Sequence, residues 1–309
     1  MPEWAASPGI CFRSSITWLT WLGSLVVVHL RSCVSRNLSE SNPLGKPVEY
    51  IQTYTPSLLC TIERALARGE MEMPEPLPFK GEDVWNAYEL TWLDGGGKPQ
   101  TAAMRLNVPC TSPCIVESKS LKLYLNSFAM SRFSNMADVL KTLNSDLALA
   151  FRAPIMVNLM NMNQIPETVD RLPGICLDGL EIEAEHFDRT PHLLVLEDGE
   201  ERVVKETLHT NLFRSLCPVT SQPDFGTLVI QYMGRPMVRS GLLRYLVSYR
   251  CHQAFHEATV EQIFKDIQQR CRPEQLSVGG YFLRRGGIDI NPYRSNVDER
   301  GQPLRLSRQ

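Results

Sequence analysis

The 309-residue sequence lacks the marks of several protein classes. It has almost no excess charge of one sign, because 32 basic and 34 acidic residues give a net charge of −2. A general nucleic-acid-binding protein would normally carry a basic surplus. No G-x-G-x-x-G motif follows a predicted strand, so a dinucleotide would have to bind outside a Rossmann fold. Asp224-Phe225-Gly226 matches a kinase triplet, but the other kinase motifs are missing.

A disulfide framework is also missing. The nine cysteines are an odd number and are scattered along a long chain (positions 11, 33, 60, 110, 114, 176, 217, 251 and 271). This usage is typical of a reducing compartment, and it predicts a cytoplasmic protein. Cys110 and Cys114 form a lone C-x3-C without a second pair at zinc spacing, so we expect a structural role and no bound metal.

The sequence has no apolar run long enough for a comfortable membrane span. Residues 16–30 are apolar, but a spanning helix needs about 20 residues. No A-x-A-like cleavage site follows, and Arg31 does not suit a lipoprotein cleavage box ending at Cys33. We therefore expect residues 1–43 to be an extension that is disordered or absent from the native protein, which would start at a non-standard codon such as Val34.

Hydrophobic patterns predict an α+β protein from residue 44 onward. Residues 84–93 and 101–108 alternate as half-buried strands, and Asp94-Gly-Gly-Gly97 between them predicts a hairpin turn. An apolar helical face follows, and residues 155–159 then alternate as another strand. The residues of the helical face are Met136, Val139, Leu140, Leu143 and Leu147.

The second half repeats this order. It has a predicted strand at 227–233, a helical stretch at 241–270 and a closing strand at 276–283. Leu121-Lys-Leu-Tyr-Leu-Asn-Ser-Phe128 aligns with Leu242-Leu-Arg-Tyr-Leu-Val-Ser-Tyr249. The sequence therefore predicts a diverged tandem duplication, with the acidic segment near 165–200 as the connection.

The segment Cys217-Pro-Val-Thr-Ser-Gln-Pro-Asp224 places a thiol and a carboxylate seven residues apart. Its two prolines predict a shaped turn rather than a helix. Cys217 is a candidate nucleophile and Asp224 its proton partner. The alternative is that Cys217 is a small buried side chain, as most cysteines are.

Three further polar groups are candidates for a functional site, and each also has another interpretation. Glu117-Ser-Lys-Ser-Leu-Lys122 could be a helix start capped by Ser118 or Ser120. His256-Glu257 could hold a metal with His252, although a convincing third ligand is missing. Arg284-Arg285-Gly286-Gly287 suits a phosphate, or it is a solvated end of the closing strand.

Taken together, these groups resemble the QueF-type 7-cyano-7-deazaguanine reductases, the nitrile reductases of queuosine biosynthesis. The resemblance covers residue 44 to the end and is carried by four motifs of the long, two-module subgroup. They are Glu117-Ser-Lys-Ser-Leu-Lys-Leu-Tyr124, Ser215-Leu-Cys217-Pro-Val-Thr-Ser-Gln-Pro-Asp224, Phe255-His-Glu257 and Arg285-Gly-Gly-Ile-Asp-Ile-Asn-Pro292.

The resemblance implies a fold and an activity. The fold is the tunnelling fold, with antiparallel sheets and paired helices in tandem modules at 44–185 and 186–309. The activity is NADPH-dependent reduction of a nitrile to an aminomethyl group, through a thioimide on the cysteine and with two NADPH consumed. The resemblance also implies a homodimer and a small deazapurine substrate. It implies neither direct binding to nucleic acid nor association with a membrane.

The resemblance also implies roles for individual residues. Cys217 and Asp224 would be catalytic, as nucleophile and general acid. The substrate-binding residues would be Val116, Glu117, Ser118, His256 and Glu257. The residues that contact NADPH would be Ser118, Lys119, Arg285 and Gly286.

Two other function classes remain open from the residues alone. A cysteine hydrolase could use Cys217, His256 and Asp224 as a triad, without NADPH. A purine- or pterin-binding relative on the same fold would have no redox role.

Overall fold

The computed structural model describes residues 50–165, 168–199, 202–298, 300–301 and 304–309. The expectation for residues 1–43 lies outside these residues. The strands, in chain order, are β1 (Thr61–Glu63), β2 (Lys80–Leu93), β3 (Pro99–Pro109), β4 (Cys114–Val116), β5 (Met156–Met160), β6 (Ile175–Cys176), β7 (Val204–Leu216), β8 (Pro223–Gly234), β9 (Gln275–Phe282) and β10 (Ile288–Ser295). The α-helices are α1 (Arg64–Glu70), α2 (Ser118–Asn126), α3 (Met136–Phe151), α4 (Arg239–Val247) and α5 (His256–Cys271).

Eight of the strands form one sheet in the order β5-β3-β2-β10-β9-β8-β7-β6. All neighbours in it are antiparallel except β6 and β7, and β1 pairs separately with β4. The pairing of β2 with β10 joins the amino-terminal and carboxy-terminal strands, with Trp85 opposite Ile290. The predicted α+β class with antiparallel strands is confirmed, while the tunnelling-fold modules remain a prediction.

The first predicted hairpin is present as β2 and β3. At its turn the Asp94 carboxylate accepts hydrogen bonds from the backbone N–H groups of Gly96 and Lys98, each at 3.0 Å. A side chain that bonds the backbone of its own turn is a common way to close such a connection.

The second hairpin, β7 and β8, is only half predicted, because the alternation in β7 is broken. The register of β7 against β8 shifts between Thr210 and Phe213. Such a bulge adds a residue to one strand. Residues that face the core are therefore at odd positions on one side of the bulge and at even positions on the other. Simple alternation therefore does not identify β7.

The predicted helical stretch over 241–270 is divided into two helices, and the predicted position of His256 at the front of the long helix is confirmed. Helix α4 ends at Val247, a 3-10 turn covers Ser248–Cys251, and α5 begins only at His256. The backbone is extended at both His252 and Phe255. The break puts His256 at a helix amino terminus, where its side chain can leave the helix axis.

The predicted closing strand is also not the last one. Beyond β9, Arg285 and Ile288 exchange backbone hydrogen bonds of 2.9 and 3.2 Å around Gly286 and Gly287. These glycines have φ values of +55° and +80°, as a type I′ turn requires at both central positions. The chain then returns as β10.

The two halves repeat the same polar contacts between their paired helices. Tyr124 donates to the Asp146 carboxylate at 2.7 Å, and the aligned Tyr245 donates to Asp266 at 2.7 Å. In each half the serine three residues later donates to the tyrosine carbonyl at 2.6 Å. A separate apolar core surrounds each of these contacts.

A second repeated feature lies upstream of α2 and of α4, and the sequence patterns did not predict it. Thr55-Pro56 and Thr190-Pro191 each open a 3-10 turn, at Pro56–Leu58 and Pro191–Leu193. The threonine N–H donates to the hydroxyl of the serine just described, at 3.1 Å in both halves.

In the described part of the chain, no helix is long and apolar enough to cross a membrane.

Candidate active site

A pocket of about 810 Å³ lies where four chain segments meet. They are the amino end of α2, the loop between β7 and β8, the amino end of α5 and the turn between β9 and β10. The pocket brings together all ten residues that the sequence predicts for the site: Val116, Glu117, Ser118, Lys119, Cys217, Asp224, His256, Glu257, Arg285 and Gly286. Its apolar lining includes Trp85, Ile115, Phe255, Leu283, Ile288 and Ile290.

Cys217 begins the tight loop that joins β7 to β8. Its N–H donates to the carbonyl of Gln222 at 2.9 Å, and its carbonyl accepts from Ser221 N–H at 3.0 Å. The predicted turn is thus present but shorter than expected. Asp224 already lies on β8, directly opposite Ser215 of β7. The thiol and the carboxylate therefore sit at the end of one hairpin.

Asp224 is buried and faces two potential donors. Its Oδ1 lies 3.1 Å from Nη1 of Arg285 and 3.3 Å from Nε2 of His256. Arg285 also donates to the carbonyl of Pro223. The carboxylate is therefore oriented from two sides.

His256 and Glu257 each present an atom without a hydrogen-bond partner among the described residues. These atoms are Nδ1 of His256 and Oε1 of Glu257. The His256 ring stacks on Phe282 with centroids 3.8 Å apart and planes 7° from parallel, which fixes its orientation. Buried polar atoms are normally bonded, so two unpaired ones in one pocket wall mark a place for a ligand.

The Glu257 carboxyl is buried, and this raises its pKa above the usual range, with the negative charge of Asp83 adding to the effect. Both effects disfavour the ionised form of this carboxyl relative to an exposed glutamate. Donors from a ligand would favour the ionised form instead.

Glu117 caps α2 with its own side chain. Its two carboxylate oxygens accept from the N–H groups of Lys119 at 2.9 Å and Ser120 at 2.8 Å. The suggestion that Ser118 or Ser120 is the cap is therefore wrong, although the predicted helix start is correct. Oε1 also accepts from the Ser118 hydroxyl at 3.4 Å, and Oε2 has a second lone pair with which Glu117 can still accept from a ligand.

The alternative metal site with His252 is not favoured by its surroundings. The His252 ring packs against Tyr249 with centroids 4.9 Å apart. Burial, and then the charge of Arg189, lower the pKa of His252 to about 4. His252 is not among the residues that line the pocket.

Comparisons with known proteins identify the family of this chain. Residues 50–159 match the family described as nitrile reductase, 7-cyano-7-deazaguanine-reductase N-term, and residues 223–301 match the family described as QueF-like protein. The NADPH-dependent 7-cyano-7-deazaguanine reductase of Desulfotalea psychrophila is 46% identical over 277 residues, covering 89% of this chain and 100% of the relative. The enzyme of the same name from Dechloromonas aromatica is 48% identical over 262 residues, covering 84% and 92%. The chain belongs to the 7-cyano-7-deazaguanine reductase family. Members of this family are NADPH-dependent oxidoreductases.

Lys122 is a pocket residue that the predicted site did not include. It lies one turn after Lys119 on α2, and burial lowers its pKa despite the opposing effect of Glu117. A Cβ placed on Gly286 would lie 3.1 Å from the Lys122 Cδ, so the lysine stem passes directly over this glycine. The i, i+3 spacing with Lys119 was the available signal. Lys119, Lys122 and Arg285 make this part of the pocket cationic.

A buried ion cluster lies beside the pocket and ties the two halves together. Arg294 is fully buried and contacts Asp83 Oδ1 and Glu261 Oε1, each at 2.8 Å. Arg64 pairs with Asp83, and Arg68 pairs with Glu261 at 2.8 Å. Through Asp83 this cluster also acts on the charge state of Glu257.

Proposed function

We propose that this protein reduces the nitrile of 7-cyano-7-deazaguanine to an aminomethyl group with NADPH, in the queuosine pathway of tRNA modification. One observation carries the proposal in a member of this family. Cys217 and Asp224, at the end of one hairpin, line the same pocket as Glu117, His256 and Glu257. Covalent chemistry and recognition of a polar ring can then occur on one bound molecule.

Recognition uses the unpaired polar atoms of the pocket. The ionised Glu257 accepts N–H groups from the polar edge of the deazaguanine, and Glu117 accepts with its remaining lone pairs. His256 Nδ1 and Glu257 Oε1 are both buried without a hydrogen-bond partner among the described residues. Val116 and Ser118 flank Glu117 and complete the substrate contacts. Because a buried unpaired carboxylate is costly, a ligand with matching donors gains affinity from this arrangement.

Cys217 forms the covalent intermediate. Its sulfur attacks the nitrile carbon, one π bond of the C≡N group breaks, and a C–S bond forms. The Asp224 carboxylate takes the thiol proton as the sulfur attacks, and as general acid it then passes this proton to the nitrile nitrogen. The product is a thioimide. His256 and Arg285 orient the Asp224 carboxyl during this transfer.

The cationic part of the pocket fits the phosphates of a nicotinamide dinucleotide. Lys119, Lys122 and Arg285 supply positive charge there, and Gly286 leaves room for the Lys122 stem. NADPH supplies two hydrides in succession, so two molecules are consumed per nitrile. Between them the C–S bond breaks, Cys217 leaves as thiolate and an imine remains. Closure of the pocket around both ligands protects that imine from water.

A cysteine hydrolase is the main competing class, because His256 lies beside Asp224 as a triad would require. In such an enzyme the histidine must also reach the thiol and remove its proton. Turnover of a nitrile or ester to the acid without NADPH would favour it over the reductase.

The decisive assay is NADPH oxidation with 7-cyano-7-deazaguanine, followed with wild type and Cys217→Ala. We expect two NADPH oxidised per aminomethyl product in wild type and none with Cys217→Ala. Without NADPH, mass spectrometry should find a covalent adduct that Cys217→Ala lacks. Cys176→Ala is the matched control, because this exposed cysteine lies outside the pocket and should leave both results unchanged. Absence of NADPH oxidation by the wild type would refute the proposal.

We further propose that residues 44–185 and 186–309 are tandem tunnelling-fold modules and that the protein is a cytoplasmic homodimer. The repeated tyrosine–aspartate contacts support the duplication. Light scattering coupled to size exclusion would test the dimer, since a mass near 35.0 kDa would mean a monomer.

A further inference from the structure

The short segment 252–255 between α4 and α5 pairs with the end of β7. Leu216 N–H donates to the carbonyl of His252 at 2.8 Å, and the Leu216 carbonyl accepts from Ala254 N–H at 3.2 Å. Cys217 follows Leu216 directly in the chain. The backbone that leads into the nucleophile loop is therefore held by the backbone that leads into α5.

Gln253, in the middle of this segment, extends the contact to the far side of the loop. Its Nε2 donates to Ser221 Oγ at 2.9 Å. Ser221 has a φ of +55°, a left-handed conformation that is unfavourable for a residue with a Cβ and needs support from its surroundings. Ser221 N–H in turn donates to the Cys217 carbonyl at 3.0 Å. One side-chain hydrogen bond thus braces the strained residue that closes the loop on Cys217.

The same segment also sets the position of the recognition groups. His256 follows it directly in the chain, stacks on Phe282 and lies 3.3 Å from Asp224. The distance between the Cys217 thiol and the residues at the start of α5 therefore depends on the hydrogen bonds between the Cys217 loop and segment 252–255. Attack on a bound nitrile requires the sulfur within about 3–3.5 Å of the carbon, and a misplacement of about 1 Å can be costly.

We propose that Gln253 is a positioning residue, which holds the Cys217 loop in register with the substrate bound at α5 by bonding Ser221. The inference rests on the proposed function, because the rate that it controls is that of thioimide formation. Gln253 is exposed and does not line the pocket, so its effect acts through Ser221 and not through contact with substrate.

The test measures adduct formation with 7-cyano-7-deazaguanine in the absence of NADPH, over a range of nitrile concentrations. Gln253→Ala should lower the saturating rate about threefold to tenfold, as expected for one lost hydrogen bond. The half-saturating concentration should stay unchanged, because Glu117 and Glu257 are untouched. Gln253→Glu should restore most of the rate, since the Ser221 hydroxyl can donate to a carboxylate.

A double-mutant cycle separates this role from a general loosening. Ser221→Ala should lower the rate as much as Gln253→Ala does, because both changes remove the same bond. The variant with both changes should lower the rate no further. Gln269→Ala is the control, since this glutamine is exposed on the last turn of α5. Rate losses that multiply in the double variant, or an unchanged rate in Gln253→Ala, would overturn the inference.

Hydrogen exchange keeps this outcome distinct from failure of the proposed function. Amides of residues 217–222 should exchange about threefold to tenfold faster in Gln253→Ala than in wild type, whatever reaction the protein catalyses. Wild type without any adduct would refute the proposed function. Unchanged exchange of the loop amides would refute the role of Gln253 by itself.

Discussion

Replacing Glu257 by glutamine should stabilise the protein without substrate while weakening its hold on the substrate. The carboxyl is 4% exposed, its Oε1 has no partner among the described residues, and burial together with Asp83 raises its pKa. Glutamine has nearly the same shape and no charge. The change therefore removes a poorly compensated buried charge and leaves the packing intact.

The sign of the pH dependence follows from the raised pKa. A glutamate with a higher pKa in the folded state than its ordinary 4.5 favours folding at low pH. That stability is lost as pH rises through the folded-state value. Glu257→Gln should therefore gain little at pH 5 and most at pH 8 to 9. An unsatisfied buried group costs about 1–3 kcal/mol, or roughly 2–6 °C in melting temperature for a chain of this size.

Thermal unfolding of wild type and Glu257→Gln between pH 5 and 9 measures the first effect. Calorimetric titration with 7-cyano-7-deazaguanine measures the second, where loss of charged hydrogen bonds should weaken binding about 10-fold to 100-fold. Glu274→Gln is the control, because this glutamate is exposed. A variant that is less stable at every pH would refute the argument from the buried charge. Unchanged affinity would refute the contact between Glu257 and the substrate.

Three further changes have defined outcomes. Arg294→Met leaves two buried carboxylates without their shared partner and should cost about 3–5 kcal/mol, read from urea unfolding. Gly286→Ala introduces a Cβ at a φ of +55° and 3.1 Å from the Lys122 side chain. It should destabilise the turn by about 1 kcal/mol and raise KM for NADPH more than KM for the nitrile. Asp224→Asn keeps the shape of the general acid without its proton and should slow adduct formation at least about 100-fold in rapid-quench mass spectrometry.

Each of these changes has an outcome that contradicts it. Unfolding of Arg294→Met at the wild-type urea midpoint would mean that the ion cluster contributes nothing to stability. Equal changes in both KM values for Gly286→Ala would show that the turn does not act on NADPH through Lys122. A wild-type rate of adduct formation by Asp224→Asn would remove Asp224 from the proton transfer.

Local patterns predicted the elements whose side chains keep one period. The hairpin of β2 and β3 and the apolar face of α3 follow directly from alternation and from i, i+3, i+4 spacing. The failures occur where a local feature interrupts the period. A bulge at Thr210 obscures β7, and an extended break before His256 divides a stretch that is helical by composition.

The chemistry of the candidate site was available from residue types, but its electrostatics were not. A thiol seven residues before a carboxylate suggested a nucleophile and its acid. No pattern indicated that Arg285 would bond Asp224, that Glu117 would spend two acceptors on its own helix, or that Lys122 would be half buried. Each of these depends on residues that are distant along the chain.

The sequence by itself determined the α+β class and the identity of the groups that carry the proposed chemistry, because these follow from local period and composition. The tertiary structure alone decided which of those groups meet and in what charge state. Antiparallel pairing of β2 with β10 brings Trp85 opposite Ile290 and lets Asp83 act on Glu257. Charges interact according to distance in space and local burial, so the protonation of Glu257 is a property of the fold and not of any segment.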